Sequence, residues 1–128
     1  MASQSLQDQV AIITGAGSGI GRAVALALAR AGAKVGLAAR TKQNLDAAAN
    51  EITKSGGTAL VIPTDVGNEQ QVEALVAKTK SAFGHIDILV TSAGGAVFGP
   101  LLESRTEATL PGFIVNVLCV LPARGAAT

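Results

Sequence analysis

The sequence predicts an α/β protein built on a doubly wound parallel sheet with strand order 3-2-1-4, and three observations predict it. An apolar run at residues 10–13 breaks into a turn with glycine at 15, 17, 19 and 21, and an alanine-rich helical pattern follows at once. Short apolar runs then alternate along the chain with helical stretches, which implies parallel strands joined by right-handed crossovers. Finally, 128 residues with 48% apolar and 15% charged side chains are enough for one globular domain with a core.

Each element has its own signal. Residues 10–13 (Val-Ala-Ile-Ile) are apolar throughout, as in parallel strands covered on both faces. Ile20, Val24, Leu28 and the alanines between them give a helix with a small buried face, suited to lying close on a sheet, and Gly32 is placed to cap it. Residues 34–39 make the second strand. Residues 41–55 form the second helix, with Leu45, Ala48, Ala49 and Ile52 at helical spacing and Gly56-Gly57 ending it. The third strand is residues 58–62. Asn68 caps a third helix with Gln71 in the reciprocal capping position, and Val72, Leu75, Val76 and Phe83 form its apolar stripe. Residues 86–90 make the fourth strand.

The glycine-rich turn carries the chemistry. Glycines let the backbone adopt conformations closed to other residues and let a ligand approach with no Cβ in the way. Amides at the start of the helix point into the turn, and the positive end of the helix dipole favours an anion there. A phosphate or pyrophosphate fits. The spacing is not the generic Gly-x-Gly-x-x-Gly, because a third glycine counted from Gly15 would fall at Ile20, and from Gly17 at Arg22. No Lys-Ser/Thr pair follows the last glycine, which excludes a P-loop NTPase.

The pattern that fits is Thr14-Gly15-x-x-x-Gly19-x-Gly21, and it resembles the cofactor motif of the short-chain dehydrogenase/reductase family. Thr64-Asp65-Val66, Phe83-Gly84-His85-Ile86-Asp87 and Thr91-Ser92-Ala93-Gly94 continue the resemblance in the family's order. It is nearly continuous to Gly99 and thins beyond. The expected organisation is a single NAD(P)-binding Rossmann-type domain over 1–128, with a well-matched core at 1–99 and a weakly matched helical segment at 100–128.

Ligands on such sheets bind beyond the carboxyl ends of the strands, where the strand order reverses, and Thr14, Arg40, Asp65 and Ser92 lie at those ends. A carboxylate at the end of the second strand accepts the ribose 2′-hydroxyl of NAD, whereas a 2′-phosphate needs a cation. Residues 38–41 read Ala-Ala-Arg-Thr, with no carboxylate until Asp46, and Arg40 can grip a phosphate bidentately. The expected cofactor is therefore NADP rather than NAD.

The resemblance implies further contacts. It assigns Thr14, Gly15, Ser18, Gly19, Ile20 and Gly21 to the cofactor turn, Asp65 to the adenine amino group with Val66 on the ring, and Ser92, Ala93 and Gly94 to the nicotinamide ribose. Asp65 reads equally as the start of a turn before Asn68, and the two roles are compatible. Where the family usually shows Asn-Asn-Ala-Gly this chain has Thr91-Ser92-Ala93-Gly94, and Ser92 replaces part of the hydrogen bonding with a shorter reach.

An oxidoreductase exchanging hydride with a small-molecule carbonyl or alcohol is what the resemblance implies. The family's carbonyl reduction takes a Tyr as acid in Tyr-x-x-x-Lys, together with a Ser. The chain has no tyrosine, so these residues cannot assemble a phenolic acid. His85 falls at the far end of the fourth strand from Ser92, and Cys119, in an apolar run, reads as core filler. The expectation is a cofactor-binding half whose carboxyl-terminal half is absent, inactive alone; a non-catalytic nucleotide-binding module or an inactive truncated product is the alternative. Asn116, within Val115-Asn116-Val117, falls where the family places the asparagine of a proton relay. It reads equally as a structural polar residue in a helix opened by Ser104 and Glu107 and interrupted at Pro111-Gly112.

A net charge of +1 without a basic cluster argues against nucleic acid or a membrane surface as partner. Residues 1–10 lack the pattern of a signal peptide, and the apolar run 113–121 is too short to span a bilayer, so a cytoplasmic protein is expected. No metal is assigned. Without the missing half, residues 88–90 would form an exposed apolar sheet edge, which predicts that the isolated chain is poorly soluble or a homo-oligomer.

Overall fold

The central strand β1 (Val10–Thr14) is buried at every position. Strands flank it on both sides and helices cover both faces, which is why apolar side chains run through it without alternation. The computed structural model describes residues 5–92. After β1 come α1 (Gly19–Arg30), β2 (Lys34–Ala39), α2 (Lys42–Lys54), β3 (Thr58–Pro63), α3 (Glu69–Phe83) and β4 (Ile88–Thr91). All pairings are parallel and the order is β3-β2-β1-β4, as the sequence predicts.

The sheet divides the core in two. On one side Ala11, Ile13, Val35 and Leu37 pack with Ala25 and Ala29 of α1 and with Leu45, Ala48 and Ile52 of α2. On the other, Ile12, Ala38 and Ile62 pack with Leu75 and Val76 of α3. Alternate residues of β1 thus face opposite layers, as strand geometry requires.

Local details differ from the sequence reading in instructive ways. The buried face of α1 is Gly21, Ala25 and Ala29, while Val24 and Leu28 are half-buried and Ile20 is 78% exposed. The buried stripe lies one residue, about 100° of helix rotation, from the one formed by the larger side chains. Turning its smallest residues inward lets the helix axis come closest to the sheet.

The ladder of β4 starts at Ile88 rather than at 86. Just before it, Asp87 bonds the start of β1 from both ends: its N–H donates to the Val10 carbonyl at 2.9 Å, and its Oδ2 accepts from the Val10 N–H at 2.8 Å. Asn68 caps α3 as expected, accepting from the Gln71 N–H at 3.1 Å. The Gln71 side chain does not return to Asn68, however. Its Oε1 accepts from the Asp65 N–H at 2.7 Å and ties the end of β3 to the helix.

Candidate functional site

Strand register brings the predicted positions to one edge of the sheet. Thr14 is level with Ala38 of β2 and Thr91 of β4, and Ala39 is level with Pro63 of β3. Gly15, Arg40, Asp65 and Ser92 therefore follow strand ends on the same side of the molecule. Two further bonds stitch this edge: Ala16 N–H to Ala38 O at 3.2 Å, and Thr64 N–H to Ala39 O at 2.8 Å.

The turn between β1 and α1 needs its glycines. Gly15 and Gly19 have φ of 67° and 57°, a region that side chains oppose. A Cβ on Gly21 would sit 2.1 Å from the Gly15 carbonyl oxygen, so the turn folds directly onto the first turn of the helix. Ser18, the N-cap of α1, makes no side-chain capping bond, and the first turn holds no acidic residue. The first amides of α1 thus keep the unpaired donors and partial positive charge of a helix start, beside backbone that no Cβ obstructs. Such a helix start favours an anionic group.

Thr14 clamps the floor of this turn. Its side chain is fully buried, and Oγ1 donates to the Val90 carbonyl at 3.5 Å while accepting from the Ser92 N–H at 3.2 Å. Ser92 Oγ in turn lies 3.2 Å from where a Cβ on Gly21 would be, so the end of β4 closes against the glycine turn.

Arg40 is exposed and, among the described residues, has no ion-pair partner. Lys42, two residues on, is engaged by Asp46 at 2.8 Å. Asp65 adopts the turn role: its Oδ1 accepts from the Gly67 N–H at 2.9 Å, and its carbonyl accepts from the Asn68 N–H at 3.0 Å. Val66 is half-buried beside it. Ile20 stands exposed on the first turn of α1. Ala93, Gly94 and Asn116, like Ser104, Pro111-Gly112 and Cys119, lie outside the described residues.

His85 occupies the loop before β4, where Nε2 is 3.1 Å from the Asp8 carbonyl and 2.9 Å from Asp87 Oδ2. That is the amino end of the strand, away from the glycine turn. Among the described residues no group of His, Cys, Asp and Glu could hold a metal ion, and no helix is long and apolar enough to cross a membrane.

Two neighbours of the turn escape a reading of local sequence. Asn44 of α2 packs on Gly17, and Arg22 of α1 pairs with Glu51 of α2. Both contacts join elements separated by a strand, so no motif spacing marks them.

A family model described as short chain dehydrogenase matches residues 9–127. An uncharacterized oxidoreductase of Mycobacterium tuberculosis is 40% identical over 112 residues, which cover 88% of this chain and 43% of that protein. A short-chain type dehydrogenase/reductase from Mycobacterium marinum superposes with a TM-score of 0.87 at 36% identity, over 96% of this chain and 51% of that one. A metagenomic short-chain oxidoreductase in complex with NADP superposes with a TM-score of 0.85 at 35% identity, over 95% of this chain and 57% of that one. The chain spans about half the length of the proteins it matches.

Proposed function

The chain belongs to the short-chain dehydrogenase/reductase family, and from that premise we propose that it is the cofactor-binding part of an NADP-dependent oxidoreductase acting on a small carbonyl or alcohol. One observation carries the reading. The uncapped start of α1 and the Cβ-free face of Gly21 against Gly15 form an anion cradle on the same sheet edge as Arg40. The related oxidoreductase solved with NADP supports the choice of coenzyme.

In this reading the unpaired amides of the glycine turn and of the first turn of α1, at Gly19 and Gly21 among them, hold the diphosphate beside Gly15, with Thr14 fixing the turn and Ser18 at the helix start. Arg40 holds the 2′-phosphate of the ribose. Asp65 keeps one carboxylate oxygen in its turn and offers the other to the adenine amino group, with Val66 against the ring. Ile20 presents apolar surface at the mouth of the turn, and Ser92, Ala93 and Gly94 flank the nicotinamide ribose. A bound nicotinamide would supply hydride chemistry at the substrate carbon beside these residues. In a product that also carries the acid, Asn116 would serve its proton relay.

The proton donor is a different matter. These 128 residues contain no tyrosine, so the phenolic acid that the family uses is not among them. We therefore assign this chain binding without turnover, and assign reduction to a gene product that also carries Tyr-x-x-x-Lys. The alternative reading is a nucleotide-binding module with no catalysis.

Titrating the 128-residue chain and the natural gene product, read to its stop codon, with NADPH and assaying both for carbonyl reduction tests the proposal. Both are expected to bind, and only a product containing Tyr-x-x-x-Lys is expected to reduce. Reduction by the 128-residue chain alone would contradict the assignment of the acid. An in-frame stop without that motif favours the binding module, and no binding by either protein removes both readings.

A further inference from the structure

The turn from β3 into α3 fixes Asp65 from several directions. The residue before it is anchored: Thr64 is buried, its N–H donates to the Ala39 carbonyl and its Oγ1 to the Ile62 carbonyl, both at 2.8 Å. Beyond Thr64 the chain leaves the sheet, and the Asp65 N–H finds its acceptor in Gln71 Oε1 at 2.7 Å. The Asp65 carbonyl accepts from the Asn68 N–H at 3.0 Å, and Oδ1 accepts from the Gly67 N–H at 2.9 Å. Among the described residues no hydrogen bond or ion pair engages Oδ2. One carboxylate oxygen is thus left over, and its direction follows from the bonds that hold the rest of the residue.

The Gln71 carboxamide is not used by its own helix. The cap of α3 takes the main-chain N–H of Gln71, which donates to Asn68 Oδ1 at 3.1 Å. We propose that Gln71 is a positioning residue for recognition of the adenine base: by accepting from the Asp65 N–H, it aims Asp65 Oδ2 at the exocyclic amino group. The proposal rests on the cofactor reading above, and Gln71 acts through Asp65 alone. A carboxylate accepts from the amino group of adenine and opposes the carbonyl oxygen that hypoxanthine carries in its place, so the aim of Oδ2 is read as preference between the two bases. Gln71→Leu removes the acceptor and leaves the main-chain cap in place. Leucine forms helix at least as well as glutamine, and the exposed Asp65 N–H turns to water.

The experiment measures, by calorimetry on the natural gene product, affinity for NADPH and for its hypoxanthine analogue. The wild type is expected to prefer NADPH by about tenfold. Gln71→Leu and Gln71→Ala are each expected to cut that ratio about threefold with Tm unchanged, whereas Gln71→Glu, which keeps an acceptor, retains it. Asp65→Asn is the control for the underlying reading: its carbonyl oxygen can keep the bond to the Gly67 N–H while its NH2 faces the base, which shifts preference towards hypoxanthine. If Asp65→Asn shifts the ratio while Gln71→Leu and Gln71→Ala leave it unchanged or weaken both coenzymes equally, the role of Gln71 falls alone. A ratio lost equally in Gln71→Glu also removes it. If the wild type shows no preference, or Asp65→Asn leaves it unmoved, the adenine contact of Asp65 falls and the inference with it.

Discussion

At Gly21 a single added carbon would collide with backbone. The Gly15 carbonyl oxygen would lie 2.1 Å from a new Cβ, and neither partner is a flexible side-chain end that can swing away. Gly21→Ala is expected to cost about 3 kcal/mol of stability, measured by urea denaturation, and to abolish NADPH binding by opening the turn. Ser18 offers the opposite case. It caps α1 without a side-chain bond, so Ser18→Asp supplies the missing acceptor and suits the dipole. The variant is expected to gain about 1 kcal/mol of stability and yet bind NADPH at least about tenfold more weakly, because its carboxylate occupies the anion cradle. A Tm that rises together with unchanged NADPH affinity would show that the cradle holds no phosphate.

At the level of elements, the alternation of apolar runs and helical stretches was enough to read the sheet order and nearly every boundary, since right-handed crossovers leave few topologies. The facing of α1 was not legible. Ile20, Val24 and Leu28 form the more apolar stripe in sequence, but packing chose Gly21, Ala25 and Ala29 because close approach to the sheet demands small residues there. Hydrophobicity ranks faces, and the gap between helix and sheet then selects by volume. Ala25→Leu is accordingly expected to destabilise by about 2 kcal/mol, whereas Val24→Leu, on the half-buried flank, is expected to change stability by less than about 1 kcal/mol. Chemical denaturation of the two variants checks this, and equal effects would place the helix in the orientation that the sequence pattern first implies.

Across the whole molecule, the legible part of the site is the part written locally. Thr14 ends β1, and the glycines and Arg40 come directly after strands, so motif spacing alone put them at the carboxyl edge of the sheet. Asn44 over Gly17 and the Arg22–Glu51 pair arise only when α1, β2 and α2 fold together, and no local pattern encodes them. Ala93, Gly94 and Asn116 lie outside the described residues and remain assignments by family. Among the described residues β4 pairs with β1 alone, and its side chains are only half-buried. We expect the purified 128-residue chain to self-associate, as an apolar sheet edge favours. Light scattering at high concentration checks this, a sharp monomer peak being the contrary result.

The central claim is that the glycine turn cradles a diphosphate while Arg40 selects the phosphorylated ribose. Calorimetric titration of the natural gene product with NADPH and with NADH tests it most directly. The account predicts saturable heat with both and affinity for NADPH at least about tenfold higher, a difference of about 1.4 kcal/mol that one charged phosphate contact can supply. Tighter binding of NADH, or no heat with either coenzyme, would contradict it.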